Sequence, residues 1–365
     1  MTFGSIPRDI VHLEDLVQAL PPEGQERFRR IFHVTRTVGR LVPPLEMHPW
    51  IQKYFGSVEA VQEQTIVKVT NLITLEGALF NSLRAQRPME TKAQADVVKI
   101  IEEAVGDPFC HPETGTPADS FGRAQGKHAI TASNVAKYDG FHGLVVFHEH
   151  NPLRFTAEQV ADYLEVALEW AGKARQEDPE AKYFFFMWNC LWKSGASILH
   201  GHAQMTLGRG MHYARVEALR RAAFLYRVGH GVNYFDDLVQ VHEDLGLTFA
   251  TMPGVQGLAY LTPIKEKEVL LISKRLCDGL PQAIYQVLDA FVHRLGVQSF
   301  NLALYVRPFG PSDEDWSEFP IVVRIVDRGD PMNRTADMGA MELYASSVIA
   351  SDPFRVAEAL RKEKG

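Results

Sequence analysis

The segment "NCLWKSGASILHGHAQMTL", residues 189 to 207, sets His200, His202 and Gln204 at alternate positions directly after the small-residue stretch 194–197. In an extended chain, side chains two apart share a face. These three would therefore point one way, with Leu199, Gly201, Ala203 and Met205 on the other. Three chemistries fit such a face: a half-exposed strand that carries two histidines by chance, a metal site, or the working edge of an enzyme. The preceding turn bears on the choice. Gly195 and neighbouring backbone N–H groups, with the Ser197 hydroxyl, form the kind of array that holds phosphate oxygens without a formal charge. An imidazole beside a bound phosphate can attack phosphorus when an acceptor fixes its other nitrogen. A backbone carbonyl between His200 and His202 is placed to be that acceptor, and Asn189, at the end of the preceding strand, can orient the carbonyl or the substrate.

The elements that must position these groups follow from periodicity. Residues 1–58 read as a helical N-terminal extension, with one helix in "PPEGQERFRRIFHVTRTVGRL" stopped by Pro43 and Pro44. The chain turns β-like near Ile66 to Val69. "HAITASNVAKYDGFHGLVVFHEH", 128 to 150, reads as a hairpin around a Tyr-Asp-Gly turn. Thr156 and Gln159 form a capping box for a helix whose buried stripe is Val160, Tyr163, Leu164, Ala167, Leu168 and Ala171. "AKYFFFMWN" and "SILHGHAQMTL" read as strands joined by a turn at 193–197. The same order recurs in 245–350: strands around a turn, a helix over 281–295, the strands "SFNLALYVRP" and "FPIVVRIVDR", and a helix over about 336–350. A short capped helix follows in "SDPFRVAEALRKE". The fold class is therefore α+β, antiparallel sheets with packed helices, with an internal duplication into residues 59–235, which carry the histidine segment, and 236–365.

The pattern Asn189, Gly195, Ser197, His200, His202, Gln204 resembles that of the histidine-triad (HIT-like) superfamily, in particular its transferase branch, the galactose-1-phosphate uridylyltransferase family. "GASILHGHAQ" is similar to that family's "GAS-x-x-His-Pro-His-x-Gln", with Gly201 in the place of the proline. The resemblance implies duplicated HIT-like domains and a covalent nucleotidyl-histidine. His202 would be the nucleophile, His200 a support residue, and Gln204 and Ser197 phosphate contacts. "LRAQRP" resembles "Arg-Ala-x-Arg-Pro", making Arg84 and Arg87 candidates for nucleotide phosphates, which suit guanidinium forks. By the same likeness Asn134 in "TASNVAKY" is a ligand contact, and His150 ends the strand that carries a histidine in the family. His142 and His148 have no such match and read as core or surface. "DPFCHPETGTP" resembles the family's cysteine segment with Asp107 for the first cysteine. Asp107, Cys110, His150 and His200 thus make a four-ligand set suited to a structural zinc. No organic cofactor is implied. By the resemblance Glu342 in "GAMELY" matches the position of the family's glutamate after the sugar-binding strand, but the residues before it differ and the C-terminal signature is weakly matched, and "NLALY" at 301 to 305 lacks the paired histidines of a second metal site.

Composition bounds these readings. The 365 residues are 46% hydrophobic and 23% charged with a formal charge of −7, and carry three scattered cysteines. That usage argues against a disulfide framework and against a polyanion-tracking nucleic-acid binder. No apolar run approaches a membrane span and no basic-then-apolar leader opens the chain, so the expectation is a cytoplasmic protein with no membrane partner. Neither a P-loop nor a dinucleotide-binding glycine motif occurs. The leading function is nucleotidyl transfer from a nucleoside-diphosphate sugar to a sugar 1-phosphate, by a homodimer as the family implies. The alternatives are a nucleoside-diphosphate-sugar or dinucleoside-polyphosphate phosphorylase using phosphate, a non-catalytic nucleotide-binding homologue, and a plain metal-binding protein.

Overall fold

The computed structural model describes residues 6–86, 97–276, 279–333 and 338–361. Its strands are β1 (Phe32–Arg40), β2 (Glu63–Asn71), β3 (Gly77–Phe80), β4 (Ala129–Ser133), β5 (Phe141–Phe147), β6 (Tyr183–Asn189), β7 (His202–Gly208), β8 (Thr248–Phe249), β9 (Val255–Ala259), β10 (Val269–Ser273), β11 (Phe300–Tyr305), β12 (Ile321–Asp327) and β13 (Ser347–Ile349). They form a nine-stranded sheet in the order β4-β5-β7-β6-β11-β12-β10-β9-β8 and a four-stranded sheet in the order β1-β2-β3-β13.

The large sheet is two copies of one design. The first runs β4, β5, helix Ala157–Glu177, β6, β7; the second runs β9, β10, helix Gly279–His293, β11, β12. Read outward from the middle, the spatial orders are β6-β7-β5-β4 and β11-β12-β10-β9, and the halves meet where β6 and β11 pair antiparallel. The duplication suspected from element order is thus visible in the topology. One cross-strand row runs through all four central strands: Gln204 faces Met187, Met187 faces Ala303, and Ala303 faces Arg324. By this order β12 is the counterpart of β7, and "NLALY" is the counterpart of β6. The sequence "IVVRIVD" of β12 carries no histidine.

The first helix begins as the capping box predicts. The Thr156 hydroxyl accepts from the Gln159 N–H at 3.2 Å, and Gln159 Oε1 accepts from the Thr156 N–H at 2.8 Å. Its face of Val160, Tyr163, Leu164, Ala167, Trp170, Ala171 and Ala174 is buried; Leu168 lies at the edge, half-exposed. Phe147 stacks on Tyr163 with centroids 3.7 Å apart and meets Trp188 edge-on, so the strand end before His150 is held from behind by aromatic packing.

Three expectations change. The N-terminal extension is not wholly helical: after helix Pro22–Ile31 the chain becomes β1, in register with all of β2. The β-branched Val34, Thr35, Thr37 and Val38 favour that strand. Helix over 336–350 shrinks to Ala340–Tyr344, and β13 follows, parallel to β3. Residues 209–245, given no element by the sequence, hold helices Ala214–His230 and Tyr234–Leu245, each closed by a left-handed glycine, Gly231 and Gly246.

A buried polar network fastens the small sheet to the second half. Arg324 on β12 pairs with Glu76 and with Glu268, each at 2.6 Å. Tyr260 donates to Glu76 at 2.8 Å, and Asn71 donates to the Tyr234 hydroxyl at 2.8 Å. Among the described residues no helix is long and apolar enough to cross a membrane.

Candidate functional site

Strand β7 begins at His202, five residues later than the strand read from Ser197, so His200 stands in the chain leading into it. The approach is fixed by two bonds on either side of Gly201: its N–H donates to the His150 carbonyl at 2.9 Å and its carbonyl accepts from Phe147 N–H at 3.0 Å. A Cβ on residue 201 would stand 2.7 Å from Phe147 Cδ2 and 2.9 Å from the Glu149 carbonyl oxygen. Glycine is therefore required by the Phe147 ring, and a proline would also forfeit the N–H bond.

His202 is 5% exposed, and its Nδ1 lies 2.8 Å from the His200 carbonyl oxygen. A carbonyl only accepts, so Nδ1 carries the proton and Nε2 carries the lone pair. Burial lowers the pKa of His202 from its ordinary value and keeps the imidazole neutral. Phe109 packs edge-on against the ring at 5.1 Å.

Four residues from three segments converge beside it. Asp107, Cys110, His150 and His200 offer ligand atoms that all lie within 4.8 Å of one another. Cys110 Sγ is 3.5 Å from Nδ1 of both His150 and His200. His150 Nε2–H donates to the Ile101 carbonyl at 2.9 Å and His200 Nε2–H to the Phe147 carbonyl at 2.7 Å. Both rings therefore present a bare Nδ1 inward, and these two lone pairs face each other at 3.0 Å. Asp107 Oδ1 caps the turn through the Phe109 N–H at 2.7 Å, while its buried Oδ2 has no hydrogen-bond partner among the described residues. Opposed lone pairs, a thiol and an orphaned carboxylate oxygen in one cluster are the surroundings a divalent cation relieves. Backbone carbonyls behind both imidazoles are the usual support of such ligands.

The turn between β6 and β7 differs in detail from the expected anion cradle. Gly195 has φ 101°, and its N–H is spent on the Trp192 carbonyl at 3.1 Å; the Ala196 N–H goes to Leu191 at 3.2 Å. Leu191 itself is held at φ 67°, a strained conformation for a branched side chain, and its carbonyl gathers the Ser194 hydroxyl at 2.7 Å. Ser197 is exposed on this turn. Asn189 Oδ1 accepts from Asn301 Nδ2 at 2.6 Å, and Asn301 also donates to the Ser194 carbonyl at 3.0 Å. A residue of the second half thus braces the turn of the first.

On the far side of His202, Gln204 contacts a residue assigned from sequence to core or surface. His142 on β5 is fully buried, with Nε2 3.0 Å from Gln204 Oε1 and 3.2 Å from Asn134 Nδ2. Tyr138 covers it, ring centroids 3.8 Å apart, and its hydroxyl lies 3.1 Å from the same Gln204 oxygen. The sequence signal was the hairpin register: His142 faces Thr206, diagonal to Gln204, on the adjacent strand. Asn134 is thereby brought to Gln204, as a neighbour of His142. Arg84 is exposed on the 3-10 turn Ser82–Gln86, and among the described residues its side chain makes no hydrogen bond to this group; Arg87 lies outside the described residues.

No protein-family model matches the chain, and no curated protein matches it. Solved structures do. An ADP-glucose phosphorylase from Arabidopsis thaliana, with bound ADP-glucose, superposes with TM-score 0.63 at 16% identity, covering 81% of this chain and 98% of that one. A GALT-like protein from Arabidopsis thaliana gives 0.61 at 14% identity over 81% and 98%. A uridylyltransferase gives 0.57 at 17% identity over 80% and 96%. The chain has the duplicated HIT-like fold of these uridylyltransferase-like proteins.

Proposed function

We propose that this chain, built on the duplicated HIT-like fold, is a nucleotidyltransferase that acts on a nucleoside-diphosphate sugar through a covalent nucleotidyl-His202 intermediate. The observation that carries the proposal is the bond from His202 Nδ1–H to the His200 carbonyl at 2.8 Å, which leaves the Nε2 lone pair for attack. In the first step Nε2 forms a bond to the α-phosphorus, the bridging P–O bond breaks, and the sugar 1-phosphate departs with the electron pair. The ring then carries positive charge, which the His200 carbonyl oxygen stabilises through Nδ1–H. In the second step an acceptor phosphate oxygen attacks phosphorus and the P–N electrons return to Nε2. Gln204 contacts phosphate and cannot shuttle a proton, and a phosphate leaving group needs none. Ser197, Asn189 and Arg84 would contact the substrate around this centre.

Asp107, Cys110, His150 and His200 would hold a structural zinc, a ligand set of two nitrogens, one sulfur and one oxygen that suits a tetrahedral ion. Its contribution would be to fix His200, and with it the carbonyl that orients His202.

A second reading keeps the first step and uses inorganic phosphate as acceptor, making the enzyme a nucleoside-diphosphate-sugar phosphorylase. The fold likeness to an ADP-glucose phosphorylase favours weighing it beside the sugar 1-phosphate reaction. The test is incubation with UDP-, ADP- and GDP-sugars, one at a time. Release of sugar 1-phosphate with an acid-labile, alkali-stable adduct, absent from His202→Asn, supports the reading; no adduct with any donor would refute it. Turnover with phosphate or with a sugar 1-phosphate then separates the two acceptors.

A further inference from the structure

We infer that His142 and Tyr138 are positioning residues that lock the Gln204 carboxamide with its N–H₂ turned outward as an obligate phosphate donor; the functional consequence rests on the nucleotidyl-transfer reading above. An amide side chain can present either end to a ligand, and only the N–H₂ end is useful toward phosphate. Free rotation would leave Gln204 an acceptor half the time.

Two donors decide the orientation. Tyr138 O–H reaches Gln204 Oε1 at 3.1 Å and His142 Nε2 reaches the same atom at 3.0 Å. A carbonyl oxygen has two lone pairs, and these two contacts occupy both. Turning the amide round would set its N–H₂ against both groups and aim its oxygen at the substrate.

The tautomer of His142 is set by burial. Its Nδ1 is buried with no partner among the described residues, while Nε2 meets Gln204 Oε1 and, at the longer 3.2 Å, Asn134 Nδ2. A proton on Nδ1 would leave a buried N–H donor unsatisfied, the costlier fault; a proton on Nε2 leaves only a lone pair. Asn134 aims an N–H₂ donor at the same nitrogen because its Oδ1 accepts from the Ala136 N–H at 3.0 Å, but it is only half-buried, so water can take that donor and it does not require the Nε2 lone pair. The proton therefore sits on Nε2 and is donated to Gln204. Tyr138, 61% exposed and with its ring tilted 42° to that of His142, covers this bond at the mouth of the site.

A double-mutant cycle tests the coupling. His142→Phe should lower kcat for nucleotidyl transfer about tenfold with KM nearly unchanged, and Tyr138→Phe about threefold, because an interaction made in the transition state is loosened. In a Gln204→Ala background both substitutions should lose their effect, and His142→Gln, which restores a donor, should recover part of the rate. Full additivity with Gln204→Ala would overturn the inference. Side-chain carbonyl ¹³C spectra decide it without turnover. The Gln204 Cδ resonance, assigned by its loss in Gln204→Ala, should lie downfield in the wild type, as for a carbonyl that accepts two hydrogen bonds. It should move upfield in His142→Phe and in Tyr138→Phe, the latter at an exposed site that spares the core. A wild-type resonance that neither substitution moves sinks the proposal, whereas absence of any His202 adduct beside a resonance that does move would instead refute the transferase reading.

Discussion

The carbonyl oxygen of His200 holds Nδ1 of His202 at 2.8 Å, while the imidazole of the same His200 faces Cys110 and His150 in the metal-ligand cluster. One residue thus belongs to both groups, through its backbone to one and through its ring to the other. On the proposed reading, a metal held by the cluster would thereby also align the His202 nucleophile.

Cys110→Ala removes the thiol and should leave the purified protein with substoichiometric zinc and at least about tenfold less transferase activity, since a loosened His200 misaligns His202. Metal analysis beside the rate of adduct formation checks this. Wild-type protein free of zinc yet fully active and unaffected by chelators would contradict it.

Gly201→Ala is expected to cost about 1–3 kcal/mol by pressing a methyl group on the Phe147 ring and the Glu149 carbonyl. Gly201→Pro should cost more, because it also breaks the bond to His150, although proline is what the transferase family carries there. Urea unfolding of the two variants measures the order; a neutral proline variant would mean the approach to β7 relaxes freely.

His242 supplies an acid sensitivity unrelated to the site. It is fully buried and neutral, Nδ1–H donating to Leu238 at 2.8 Å and Nε2 accepting from the Leu261 N–H, and burial lowers its pKa from 6.5 to about 4. The unfolded chain takes up the proton near 6.5 and the folded one only near 4. Stability is therefore complete above 6.5, and about 3 kcal/mol is lost as pH falls from 6.5 to 4. His242→Gln should flatten that part of the profile of urea midpoint against pH; an unchanged slope would refute the assignment.

Arg324→Met should destabilise by about 3–5 kcal/mol, because Glu268, whose side chain is wholly buried, would keep a charge without its partner. Adding Glu268→Gln should recover part of the loss. Additive losses in equilibrium unfolding would show that the pair does not act as a unit.

Much of the site was legible because local chemistry repeats in local sequence. The capping box at Thr156 and the alternation in β6 and β7 specify their elements from within a few residues. The ligand set spanning Asp107 to His200 was reached by resemblance, since nothing in spacing brings residues so far apart together. His142 escaped because its role depends on which strand neighbours β7. The spent N–H of Gly195 escaped because a turn's internal hydrogen bonds do not show in composition. β1 was misread because the segment 21–41 was taken as one helix up to the prolines, and only pairing along the whole of β2 selects the strand.

The β6–β11 pairing joins the halves by main-chain hydrogen bonds, and one buried core, with Phe155 and Trp188 packed on Phe300, runs across the seam. A chain divided near residue 236 would leave each fragment with a raw strand edge of apolar residues, prone to associate with any other such edge. The half without histidines on β12 thus covers the strand edge of the half that carries them, and each needs the other to bury that edge.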